Sequence, residues 1–264
     1  MCINIKQKKP LRLKQGEQME NTLYIALSRQ TSLWRQLDMV ANNLANVNTT
    51  GYKGVQPHFT EYVSKSKTDE SLLSDRLSFV HDFGIVRDFT EGAFSATDNP
   101  LDLAIHGPSY FVVDTPEGIR YTRNGQLKIN DEGMLVTSSN YPILDDRNNP
   151  IFIAPEETEF NVTRDGTILT ENGPVATLQT VEFADQQKLR ATHSGLYRNT
   201  ENNPMTVVRP NVEQGMIETS NVNAVVEMSE MIKLQRAYEN IQMMIDTEHT
   251  RRQNAMQVYA RSGS

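Results

Sequence analysis

The sequence predicts an α+β protein: long helices at the two ends of the chain form a coiled-coil domain, and an all-β antiparallel domain is inserted between them through extended connectors. Three observations carry this. Residues 21–48 and 221–259 lack proline and glycine, and both repeat apolar residues at helical steps. Residues 98–200 break into short β-branched and aromatic runs separated by turn-forming pairs. The helical stripes are narrow and close to a heptad repeat, the pattern of a coiled coil more than of a helix lying on a globular core.

Residues 1–18, "MCINIKQKKPLRLKQGEQ", are basic and interrupted by Pro10. They lack the apolar stretch of ~7–15 residues that a secretory signal needs. The expectation is a disordered extension, or translation beginning upstream of a genuine start at Met19.

The helical region at 19–53 follows. Its seam is predicted as Leu23, Leu27, Trp34, Leu37, Ala41 and Leu44, with Leu33, Val40 and Val47 widening it on one side. Gly51 stands where a left-handed C-terminal cap would fall. The stretch "ANNLANVNTTGYK" places Asn42, Asn43, Asn46 and Asn48 within seven positions, although asparagine competes with the helix backbone for hydrogen bonds. Fraying and capping account for Asn48. On a helical wheel Asn42 and Asn46 lie opposite the seam and Asn43 on a flank, positions where short amides suit close packing against another helix.

Connectors are predicted at 54–97 and 201–220, with the β domain at 98–200. The turn signals are Asn124-Gly125, "DEG" at 131–133, Asp165-Gly166 and Asn172-Gly173. "YTRNGQLKINDEGMLV" (121–136) echoes "VTRDGTILTENGPVAT" (162–177), either as two hairpins of similar design or by coincidence.

The second helical region, 221–264, has Ser220, Asn221 and Asn223 as N-cap candidates. Its stripe is Met228, Met231, Leu234, Tyr238, Ile241 and Ile245, flanked by Val225 and Ile232. The two helices could pack only on each other as a hairpin. That would bury one stripe each and leave the rest wet, so packing against neighbouring molecules is the more natural completion.

Composition narrows the function. Hydrophobic residues make up 38% and charged residues 22% of 264, with a mean hydropathy of -0.53, enough for a core but not a large one. A net charge of -7 and a pI near 5.3 argue against a general nucleic-acid binder. Cys2 is the single cysteine, so no internal disulfide or cysteine metal site can form. Apolar runs such as "IFIA" are strand-length, far short of the ~20 residues a membrane span needs.

No chemistry emerges. The five histidines are scattered, and neither phosphate-binding glycine motifs nor a nucleophile elbow occurs. Asp145-Asp146 lies in "LDDRNNP", a loop composition. No catalytic residue, cofactor or metal site is predicted, and no enzyme.

Three blocks carry a resemblance. "MENTLYIALSRQTSLWRQLDMVANNLANVNTTGYKG" (19–54) is similar to the N-terminal signature of bacterial flagellar axial proteins, the rod and hook proteins. "ETSNVNAVVEMSEMIKLQRAYENIQMMI" (218–245) resembles the matching C-terminal signature, and "TDNPLDLAIHGPSYFVVDTPEGIRYTRNGQLKINDEGMLV" (97–136) the β region of the longer members. The opening "ENTLYIALSRQ" most resembles the proximal-rod members, with the distal-rod members as the alternative. Residues 1–18 depart from the family pattern.

The resemblance implies a structural subunit whose terminal helices pair and pack beside those of neighbours as the inner tube of a helical assembly. It implies a drive shaft crossing the periplasm and transmitting motor torque for motility. The partners implied are further copies, neighbouring rod proteins and the flagellar type III export apparatus, through which subunits leave the cytoplasm without a cleaved signal. Nucleic acid and membrane insertion are not implied. The assembly interface is expected at Leu27, Trp34, Leu37, Asn42, Asn43, Leu44, Asn46, Val225, Met228, Ile232, Tyr238 and Ile241. Heterologous contacts that do not close into a ring would suit such a filament.

Overall fold

Two helices end the chain. The first, α1, spans Lys14–Ala45, and the second, α2, spans Ala224–Ser262. The computed structural model describes residues 14–65, 76–154, 160–200, 204–207 and 210–262. Most of the basic segment expected as an extension, residues 1–13, therefore lies outside the described residues, while 14–18 join α1. Lys, Gln and Glu are good helix formers, and adding residues to an existing helix needs no new nucleus.

By its contacts the chain divides into two compact units. One holds most of both helices with residues 57–65 and 76–84; the other holds the described residues of 41–56 and 85–228. In the helical unit Leu33, Val40 and Leu234 are buried together, and Leu37, Met231, Ala237, Tyr238 and Ile241 pack against them. Gln30 Nε2 donates to Gln242 Oε1 across the pair at 2.5 Å.

The second unit is antiparallel β. Six strands lie in the order Leu189–Ala191, Leu196–Asn199, Arg120–Thr122, Ser109–Val113, Thr180–Glu182 and Met205–Thr206. A three-stranded sheet orders Gly173–Thr177, Thr167–Thr170 and Asn161–Val162, and Leu127–Ile129 pairs with Leu135–Thr137. Residues expected as connectors are extended but also paired. Asn211–Gln214 joins Leu103–His106, Met216–Glu218 joins Phe94–Ala96, and Val55–Lys65 lies beside Arg76–Arg87. The apolar core has two clusters, one around Leu103, Phe111, Leu135, Ile143 and Ile168, the other around Tyr110, Tyr121, Phe183 and Tyr197.

Three of the four turn signals close hairpins. Gly133 and Gly166 take left-handed φ in the turns after Leu127–Ile129 and before Thr167–Thr170, and Asn172-Gly173 follows Thr170. Asn124-Gly125 does not. Its flanking strands belong to different sheets, and the glycine is required because a Cβ there would sit 1.6 Å from the Leu103 carbonyl oxygen. The echo between 121–136 and 162–177 is therefore half structural: the second turn of each repeat closes a hairpin, and the first does so only at Asp165-Gly166.

Candidate assembly site

In the helical unit the packed stripe differs from the predicted one. Leu33 and Val40 are buried with Leu37 half-buried beside them, whereas Leu27 and Trp34 are exposed, Trp34 by 58%; Ala41, in the β unit, is exposed too. Both lines repeat every seven residues and lie about 100° apart on the wheel. Ala26, one heptad before Leu33, is buried as well, and so small a side chain lets another element come close on that side. On α2 the predicted centre holds, with Leu234 buried and Tyr238 and Ile241 packed against it. Ile232 stands 52% exposed. Val225 and Met228, in the β unit, are also exposed.

The asparagine corner belongs to the β unit. Asn43 is buried, and its amide pairs with Val55 as a strand backbone would. Oδ1 accepts from Val55 N and Nδ2 donates to Val55 O, both at 2.9 Å, and Nδ2 also reaches Glu227 Oε1 at 3.3 Å. The expectation that Asn43 faces a neighbouring molecule is corrected, because its hydrogen bonds are consumed within its own chain. Asn42 is exposed and takes a bond from Tyr52 OH at 2.9 Å; Asn46 and Leu44 are half-buried. Helix α1 stops at Ala45, and Gly51, at φ 67, is no helix cap. It instead sits at a crossing of chains: its N–H donates to Glu218 O at 2.8 Å, and a Cβ would lie 2.7 Å from the Arg123 carbonyl carbon.

That crossing holds a buried ion triad. Glu218 Oε1 accepts from Lys53 Nζ at 2.6 Å and from Gly92 N at 2.9 Å, while Oε2 accepts from Arg123 Nε at 2.7 Å. Lys53 Nζ also donates to Thr90 O, and Arg123 to Ser109 O and Ile105 O. Asn221 closes the edge, accepting from Gly54 N at 2.8 Å and donating to Asp88 O at 2.9 Å. Burial alone would raise the Glu218 carboxyl, but the Arg123 guanidinium and the Lys53 ammonium together hold it below its ordinary 4.5. Burial lowers the Lys53 ammonium, an effect that Glu218 partly offsets. Glu91, 3.9 Å from Arg123, tempers the excess positive charge. Every member is hydrogen-bonded, the condition under which a buried charge network holds a fold in one arrangement.

Comparison with known proteins covers these elements. Residues 23–53 match the family described as flagella basal body rod protein, 104–170 the flagellar hook protein FlgE/F/G D1 domain, and 213–258 the flagellar basal body rod FlgEFG protein C-terminal region. The flagellar basal-body rod protein FlgF of Caulobacter vibrioides is 41% identical over 86% of this chain and 93% of its own. The chain belongs to the flagellar basal-body rod protein family. It is a structural rod subunit, most like the members named FlgF, such as that of Mesorhizobium japonicum at 34% identity over 84% of this chain and 90% of its own. FlgG of Buchnera aphidicola from Schizaphis graminum is 33% identical over 80% of this chain and 89% of its own.

In this rod protein the triad draws one residue from each matched segment: Lys53, Arg123 and Glu218. Sequence reasoning missed all three, although each stands inside one of the blocks that carried the resemblance. The separation, 70 residues from Lys53 to Arg123 and 95 from there to Glu218, leaves no local pattern to read. Among the described residues no cluster of His, Cys, Asp and Glu is placed to hold a metal ion, and no helix is long and apolar enough to cross a membrane.

Proposed function

We propose that this chain is a proximal-rod subunit that polymerises through its terminal helices. Leu33, Leu37 and Val40 pair with Met231, Leu234, Tyr238 and Ile241 as a coiled coil within one subunit, and the faces left exposed meet neighbouring axial subunits. One observation carries the reading: Leu27 and Trp34 on α1, and Met228 and Ile232 on α2, are large apolar side chains left in solvent on helices that already have a packed face. Exposed apolar stripes of this kind mark protein interfaces. Asn42, Leu44, Asn46 and Val225 are further contact residues. The subunit leaves the cytoplasm through the flagellar export apparatus without a cleaved signal, takes its place in the rod across the periplasm, and passes torque along it as a mechanical, non-catalytic element. The FlgG relatives favour a distal place in the same rod as the second reading.

The test is Trp34→Glu in the full chain. Its monomer should keep the parent's circular dichroism and melting temperature, while the protein disappears from purified basal bodies and swimming is lost. Normal incorporation of Trp34→Glu would overturn the assembly role given to this face.

A further inference from the structure

Two arginines of the six-stranded sheet are set directly against each other. Arg190, on the edge strand Leu189–Ala191, is the cross-strand partner of Arg198 on Leu196–Asn199. Both are exposed. The next strand continues the row: Leu196 faces Thr122 and Tyr197 faces Tyr121, so one step further brings Arg198 level with Arg120. Side chains alternate along a strand, so the three guanidinium stems leave from the same face. Glu117 answers Arg120 alone, at 3.1 Å. Among the described residues no hydrogen bond or ion pair reaches the side chain of Arg190 or of Arg198.

Like charges directly opposite on neighbouring strands destabilise a sheet. A charge on an edge strand guards against unwanted pairing, which accounts for Arg190. It does not account for Arg198, whose strand is already paired on both sides. The repulsive pair therefore costs the isolated fold stability, and edge protection explains only one of its two members.

We propose that Arg190 and Arg198, next to the buried and already paired Arg120, are a docking surface for a carboxylate-rich segment of an adjacent rod subunit. Two unanswered guanidinium forks match carboxylates in a two-point geometry that no other protein group offers as well. The charge balance agrees where the neighbour is a further copy: this chain carries a net -7, so another copy has carboxylates in surplus to offer. Bound acid removes the repulsion between the two arginines, so the cost borne by the free subunit is relieved on assembly. Complementary charge of this kind fixes register and partner choice more than raw affinity, which suits a shaft whose subunits must add in one orientation. The inference rests on the rod-assembly reading above.

The experiment puts Arg190→Glu/Arg198→Glu, and separately Arg198→Gln, into full-length protein supplied to cells lacking the native copy. The double reversal is expected to abolish swimming and to be missing from purified basal bodies. Arg198→Gln is expected to melt at the parent temperature or up to about 3 °C higher, yet to enter basal bodies less than the parent, with Arg198→Lys in between. That opposition of stability and incorporation is not produced by a merely structural arginine, and it stands even if the double variant folds poorly. Arg198→Gln entering at the parent level would overturn the docking surface. If Trp34→Glu still blocks assembly in the same cells, only the docking surface falls; if Trp34→Glu also assembles, the rod reading itself falls.

Discussion

The helical unit and the β unit solve burial in opposite ways. Leu33, Val40 and Leu234 form the one small apolar cluster in the described part of the helical unit, and Leu27, Trp34 and Ile232 stay in water. The β unit closes two apolar clusters and satisfies a buried triad of charges with backbone and side-chain partners. The β unit builds most of its stability from its own interior, whereas the helical unit has little interior and keeps apolar surface in reserve. Substitutions in the interior of the β unit should therefore act on folding, and those on the exposed apolar line of the helical unit on assembly.

The largest effect is expected at Glu218. Glu218→Ala leaves Lys53 and Arg123 buried without their counter-ion, at a cost of about 3–5 kcal/mol. The loss should appear as early melting of the near-ultraviolet signal from Tyr110, Tyr121 and Phe183, ahead of helix loss. Simultaneous loss of both signals would overturn the assignment of this loss to the β unit alone.

Asn43→Ala should come next. It orphans the Val55 N–H and C=O in a buried position, worth about 1–3 kcal/mol for each group left unpaired. Amide exchange at Val55 should rise by orders of magnitude while exchange in the Leu103–His106 strand is unchanged. Unaltered protection at Val55 would remove the asparagine from the junction.

Acid should act through the same triad with a smaller and graded effect. The folded-state Glu218 carboxyl lies below its ordinary 4.5, so its contribution is fully present above that value and is lost as the pH falls through the lower, folded-state value. Melting temperature should therefore drop below about pH 4.5 in the parent and more shallowly in Glu218→Gln. Equal slopes would mean that other carboxylates dominate acid unfolding.

The smallest change in monomer stability belongs to Trp34. Trp34 is mostly exposed and outside the packed cluster, so its replacement by Glu should stay within about 0.5 kcal/mol, although its effect on assembly is expected to be complete. That gap between stability and assembly is the most direct measure of the contrast between the two units.

Much of this was legible in the sequence. Long runs free of proline and glycine, with apolar residues at three- and four-residue steps, admit little but helix, and a helix stands at each end of the chain, although α1 begins at Lys14, ahead of the run that predicted it. Short β-branched runs between Gly-containing turns imply the antiparallel middle, because such turns reverse the chain with local geometry alone. Composition excluded nothing catalytic by itself, but the order of three blocks along one chain is enough to point to the rod family.

The fold settled the rest, wherever the outcome depended on residues far apart. Two apolar lines on α1 have equal periodicity, and only the approach of α2 chose Leu33–Val40 over Leu27–Trp34. Asn124-Gly125 has the composition of a hairpin turn, but the Leu103 carbonyl lies against it. Asn43 could have faced outward, but Val55 turned its amide into a strand partner. Lys53, Arg123 and Glu218 are ordinary charges when read in line, and become a clasp only where the fold removes water from all three. Periodicity is a property of neighbours in sequence, and the sequence determined what rests on it; burial is a property of neighbours in space, and only the folded chain could assign it.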